Sequence, residues 1–107
     1  MVGMLHETAL FIVSPARRPP YALVAAHLWG GDVDFDSDGN STSPDDPFWT
    51  ELTITRRPDY DESVSIDPVS QAPLVLKVVS QSAALADRTA SYLATYCSCG
   101  VVAEWPT

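Results

Sequence analysis

Between Asp32 and Asp46 the chain reads Asp-Val-Asp-Phe-Asp-Ser-Asp-Gly-Asn-Ser-Thr-Ser-Pro-Asp-Asp, six carboxylates with no basic residue among them. Carboxylates at that density have two uses: their oxygens close around a hard cation, or they stay solvated and offer a negative surface to a basic partner. Uncompensated, they repel one another and hold a loop open. Asp59, Asp61 and Glu62 continue the acidic character just downstream. Other chemistry is harder to find. There is no G-x-S-x-G, no glycine-rich phosphate loop and no histidine pair at zinc spacing, so the chain is not expected to be an enzyme, and an enzyme without a recognisable signature is a second alternative. Cys97-Ser-Cys99 is not C-x-x-C, and a bridge that tight would be strained; both are expected as free thiols filling a helix–strand junction. His27 has no partner in view and receives no role.

The cation reading has a specific form. Asp34, Asp36, Asp38, Gly39, Asn40 and Asp45 follow the spacing D-x-D-x-D-G-x5-acid, which resembles the calcium loop of the EF-hand family. The resemblance implies Asp34, Asp36 and Asp38 as side-chain ligands, Gly39 as the sharp turn, Asn40 as the backbone carbonyl donor and Asp45 as the closing carboxylate. The flanks differ from that family. Val33 and Phe35 alternate with aspartates as a strand does, and Trp49 to Arg57 alternates again, which places the loop at a hairpin rather than between two helices. Calcium is therefore the alternative cofactor, and none is the first expectation.

The elements that must carry these residues follow from periodicity. The chain has 107 residues, 46% of them apolar, which suits one domain over residues 1–107. Thr8 to Ser14 is a nearly continuous apolar run, a strand buried on both faces. Pro15 to Pro20 is an extended connector containing Arg17-Arg18, expected as charges at a sheet edge. Tyr21, Val24, Ala25 and Leu28 then fall on one helical stripe, which Gly30-Gly31 ends. Strands around Val33–Phe35 and Trp49–Arg57 form a first hairpin through the acidic loop. Pro58 to Asp61 has turn chemistry, and Val64 and Ile66 alternate into a second hairpin. After a loop bracketed by Pro68 and Pro73, Leu74 to Val79 is strongly β-prone. Ser80 or Ser82 caps a helix whose stripe is Ala86, Ala90, Leu93, Ala94 and Cys97, widened by Leu85, Thr89, Tyr92 and Tyr96. Gly100 is the expected stop, and Val101 to Trp105 a last strand. The class is α+β, a mixed or antiparallel sheet with two helices on one face in the order β-α-β-β-β-β-α-β, ferredoxin-like with an added hairpin.

Charge narrows the partners. Fourteen acidic against six basic residues give a net charge of -8, which opposes binding to nucleic acid. The N-terminal residues lack a basic and apolar leader, and no run is long enough to cross a bilayer, so neither membrane binding nor export is expected and the location is expected to be cytoplasmic. The segment Leu74 to Val102 is similar to the closing strand-helix-strand of some bacterial immunity proteins: a β run, then Ala-Asp-Arg-Thr-Ala-Ser-Tyr-Leu-Ala and a glycine before the last strand. That resemblance implies a protein that blocks a co-encoded toxin. The expected function is an acidic interaction protein whose Asp32, Asp34, Asp36, Asp38, Asp45, Asp46, Asp59, Asp61 and Glu62 meet a basic protein partner; calcium binding by Asp34, Asp36, Asp38, Asn40 and Asp45 is the alternative.

Overall fold

The computed structural model describes residues 7–57 and 62–105; the turn expected at Pro58 to Asp61, with Asp59 and Asp61, lies outside the described residues. Among the described residues six strands form one sheet: β1 (Thr8–Val13), β2 (Phe35–Gly39), β3 (Leu52–Arg56), β4 (Ser63–Gln71), β5 (Leu74–Ser80) and β6 (Gly100–Val102). Their spatial order is β2-β3-β4-β5-β1-β6, and every pairing is antiparallel, so the sheet is not mixed. Helix α1 (Tyr21–Trp29) connects β1 to β2, and α2 (Ala83–Cys97) connects β5 to β6.

Both helices cover the same face of the sheet. Ile12, Leu52, Ile54, Val64, Ile66, Leu76 and Val78 from the strands share one core with Val24, Ala25 and Leu28 of α1 and Leu85, Ala90, Leu93 and Ala94 of α2. Because strand side chains alternate, the residues between these positions point to the opposite face, over which no helix of the described residues lies. At β1 and β5 that second face is still apolar: Phe11 and Val75 are buried behind Ile12 and Leu76, which is why Thr8 to Val13 carries no polar alternation. At β3 and β4 it is lined by hydroxyls. Thr53 Oγ1 meets Ser65 Oγ at 3.3 Å and Thr55 Oγ1 meets Ser63 Oγ at 3.1 Å, cross-strand pairs in register.

Several boundaries differ from expectation for identifiable reasons. Trp49 precedes β3 instead of opening it, because its ring is buried and its Nε1–H donates to the Pro19 carbonyl at 2.8 Å. β4 runs through Pro68 to Gln71 and the hairpin turns only at Ala72-Pro73, whose peptide bond is cis. Proline is tolerated there because β3 stops pairing at Ile66 and the β4–β5 register shifts between Pro68 and Ser70, a bulge. Helix α2 ends not at Gly100 but at Ser98, which takes the left-handed conformation (φ 55°), while the Cys99 N–H returns to the Ala94 carbonyl at 2.9 Å. Its start agrees with the capping expectation: Ser82 Oγ accepts from the Leu85 N–H at 3.2 Å. His27 has a structural part after all, stacked on Tyr92 with ring centroids 4.3 Å apart and so joining the two helices.

Candidate functional site

Among the described residues β2 is an edge strand, with β3 on one side and no strand on the other. It runs from Phe35 through Gly39, four residues beyond the Val33–Phe35 alternation that marked the strand in the sequence, and the connection begins at Asn40. Backbone contact explains the extension. The Asn40 N–H donates to the Glu51 carbonyl at 3.1 Å, and a Cβ on Gly39 would overlap that same carbonyl oxygen. Gly39 is thus required by a close approach of two strands, not by a sharp turn.

The acidic residues divide into three groups. Asp34 and Asp36 are ion-paired to Arg57, at 3.4 Å from Nη1 and 3.2 Å from Nε, so one guanidinium serves two carboxylates. Asp46 and Glu62 act within the fold. Asp46 accepts from the Thr42 N–H (2.9 Å), the Thr42 hydroxyl (3.2 Å) and the Phe48 N–H (2.9 Å), which closes the loop after β2. Those hydrogen bonds to the charged form, the Thr42 amide first, hold its carboxyl below the ordinary aspartate value. Glu62 accepts from Trp29 Nε1 at 2.8 Å and lies 3.6 Å from Arg56. Asp32, Asp38 and Asp45 are exposed and, among the described residues, have neither a hydrogen-bonded nor an ion-paired side chain.

Asp38 belongs to a cluster that sequence reasoning did not assemble. Together with Glu51 and Asp67 it lines a shallow depression of about 130 Å³ on the hydroxyl face of the sheet. Register places them there: Asp38 is opposite Thr53 and Thr53 is opposite Ser65, while Glu51 precedes Thr53 by two positions and Asp67 follows Ser65 by two, which in an antiparallel pair brings both to the same end. Glu51 and Asp67 were visible only as solvent-facing positions of two strands. Alternation supplies the face, but nothing local to either segment brings them beside Asp38. Lys77, directly opposite Asp67 in β5, is the nearest cation by register.

The five residues of the calcium-loop spacing are not gathered at one point. Asp36 and Asp38 are spaced along an extended strand, and Asp45 lines a different groove, with Arg17 and Arg18. The Asn40 side chain is committed: its Oδ1 accepts from the Thr50 and Glu51 N–H groups and its Nδ2 donates to Thr50 Oγ1. Among the described residues, no group of three or more His, Cys, Asp or Glu side chains converges as metal ligands.

No protein-family model, curated protein or solved structure matches this chain. Among the described residues no helix is long and apolar enough to cross a membrane. The thiols offer little nucleophilic chemistry: burial pushes Cys97 up to about 11 and raises Cys99, so both stay protonated near neutrality.

Proposed function

We propose that this protein is a small acidic interaction protein of the bacterial cytoplasm, an immunity or inhibitor protein, that meets a basic protein partner with the β2–β3–β4 end of its uncovered sheet face. The observation that carries the reading is the depression holding Asp38, Glu51 and Asp67, where among the described residues the three carboxylates have no ion pair and no helix covers the face. Asp34 and Asp36 extend the same rim, tempered by Arg57. Such a surface suits guanidinium and ammonium groups, and with a net charge of -8 it speeds encounter with a basic protein more than it sets final affinity. Asp45, Asp46 and Glu62 contribute less to it than their sequence density suggests, since two of them serve the fold and one faces elsewhere.

The fold supports the finer reading of a ferredoxin-like arrangement widened by a hairpin. The unit β5-α2-β6 straddles β1 as a split β-α-β, α1 carries the chain from β1 to β2 at the far edge, and β2-β3-β4 widens the sheet into a broad platform. The resemblance of Leu74–Val102 to immunity proteins falls on one continuous unit, β5-α2-β6.

Capture from the native host tests the proposal. The wild-type chain is expected to retain a basic protein whose association slows steeply with added salt, and the triple variant Asp38→Asn, Glu51→Gln, Asp67→Asn is expected to bind about tenfold more slowly. Retention of no basic partner, or binding indifferent both to salt and to the triple change, refutes it. Calorimetry with calcium and magnesium separates the cation alternative, because a heat with calcium that Asp36→Asn abolishes would redirect the site to metal binding.

A further inference from the structure

Opposite in character to the acidic platform is a groove of about 480 Å³ between the connector after β1, the loop around Asp45 and Pro47, and the C-terminal end of α2. That volume is in the range of small-molecule sites. Arg18 lines it, yet the residue is only 5% exposed. Its guanidinium is fixed by backbone: Nε donates to the Trp49 carbonyl at 2.9 Å and Nη1 to the Ala16 carbonyl at 2.8 Å, while the Arg18 N–H donates to the Pro47 carbonyl at 2.8 Å. No carboxylate is ion-paired with it among the described residues; Asp46 acts on it only from a distance. Nη2 has no acceptor there either. It is nevertheless not a sealed orphan, since the one buried side-chain nitrogen or oxygen without a partner among the described residues is Thr89 Oγ1. The edge of the guanidinium that no carbonyl holds therefore keeps some access to solvent, and Arg18 is part of the groove wall.

The surroundings restrict what would complete that fork. Arg17 adds a second cation, with its guanidinium 5.8 Å from the centroid of the Phe48 ring. Phe48 is 66% exposed and Tyr96, on the groove wall, 47%; these are two of the few large apolar side chains the fold leaves in water. Asp45 on the rim and the terminal carbonyls of α2 oppose a second negative charge. Cys97 is not available as a ligand, because its thiol donates to the Arg17 carbonyl at 3.2 Å.

We propose that this groove binds a small monocarboxylic acid with a flat apolar body, its carboxylate on the free edge of Arg18 beside Arg17 and its body against Tyr96 and Phe48. A buried guanidinium left without a counter-anion is costly, and a ligand carboxylate supplies one in the geometry arginine favours. A dianionic phosphate fits less well for the reason given by Asp45 and the helix end. This site is independent of the acidic platform and survives its failure.

Titration of the labelled protein with phenylacetate, followed through the Arg18 Nε–H resonance and the Tyr96 and Phe48 rings, tests the assignment. Phenylacetate is expected to shift all three, and phenylacetamide, the neutral isostere, to bind at least about tenfold more weakly. Arg17→Gln and Tyr96→Ala, both at exposed positions, are expected to weaken phenylacetate while leaving the fold intact, which avoids reliance on Arg18 variants that unfold. A tripeptide ending in phenylalanine, with a free or an amidated C-terminus, separates sources: preference for the free form over phenylacetate keeps the carboxylate chemistry and assigns it to a chain end. Equal binding of acid and amide, or no shift at Arg18 up to the solubility limit of the acid, overturns the proposal.

Discussion

The acidic depression on the sheet and the arginine groove beside α2 carry opposite charges, and they differ as much in how those charges are held. Asp38, Glu51 and Asp67 are solvated side chains on strand surfaces, where each contributes little to stability and can be neutralised with little effect on the fold. Arg18 is buried and holds two carbonyls from separate segments, so its removal exposes the fold itself. One region is chemistry laid on a finished scaffold. In the other, the charged group is part of the scaffold, and its one free edge is a by-product of how the scaffold is fixed.

That contrast is sharpest in the response to substitution. Arg18→Met, which keeps much of the volume and removes every donor, is expected to cost about 3 kcal/mol in chemical denaturation, because the Trp49 and Ala16 carbonyls lose their partners. A cost near zero would mean that the buried cation contributes nothing and that the two regions are alike. Gly39→Ala strikes the scaffold beneath the acidic region; overlap with the Glu51 carbonyl is expected to cost about 2 kcal/mol and to release the β2–β3 pairing near Asn40 in amide exchange.

The loop that joins the regions has its own dependence on pH. Asp46 is held below its ordinary value by the Thr42 and Phe48 amides, so its contribution is fully present above that ordinary value of 3.8 and is lost as pH falls through the lowered folded value. The Thr42 and Phe48 amides are expected to lose their exchange protection in that acid range, before the core strands unfold. The smallest effect belongs to the platform. The Asp38→Asn, Glu51→Gln, Asp67→Asn variant is expected to change stability by less than about 0.5 kcal/mol, toward greater stability, as repulsion is relieved; a loss of several times that would show the carboxylates to be structural.

Much of the architecture was legible along the chain. The stripe Ala86, Ala90, Leu93, Ala94, Cys97 is wholly buried, and Leu52, Ile54, Val64 and Ile66 are core positions in alternation with hydroxyls. Periodicity exposes such positions because each depends on one element meeting one apolar layer. Boundaries were less accessible. Ser98 adopts a left-handed conformation two residues before the glycine that suggested the stop, and Pro68 lies within a strand whose bulge and missing neighbour make room for it.

The six aspartates between Asp32 and Asp46 were evident as a charge, and their flanks located them at a hairpin. Sequence alone therefore determined that the chain is acidic, that its strands and helices alternate as they do, and that carboxylates stand on an exposed strand. Only the tertiary structure decided which carboxylates remain free. Arg57 reaches Asp34 and Asp36 across the β2–β3 pair, and Trp29 reaches Glu62 from another element. It alone placed Glu51 and Asp67 beside Asp38, and it turned Arg18 from an apparent edge charge into a buried fork. The reason is common to all of them: pairing, register and burial join residues far apart in the chain, and no local pattern encodes which distant partner each will meet.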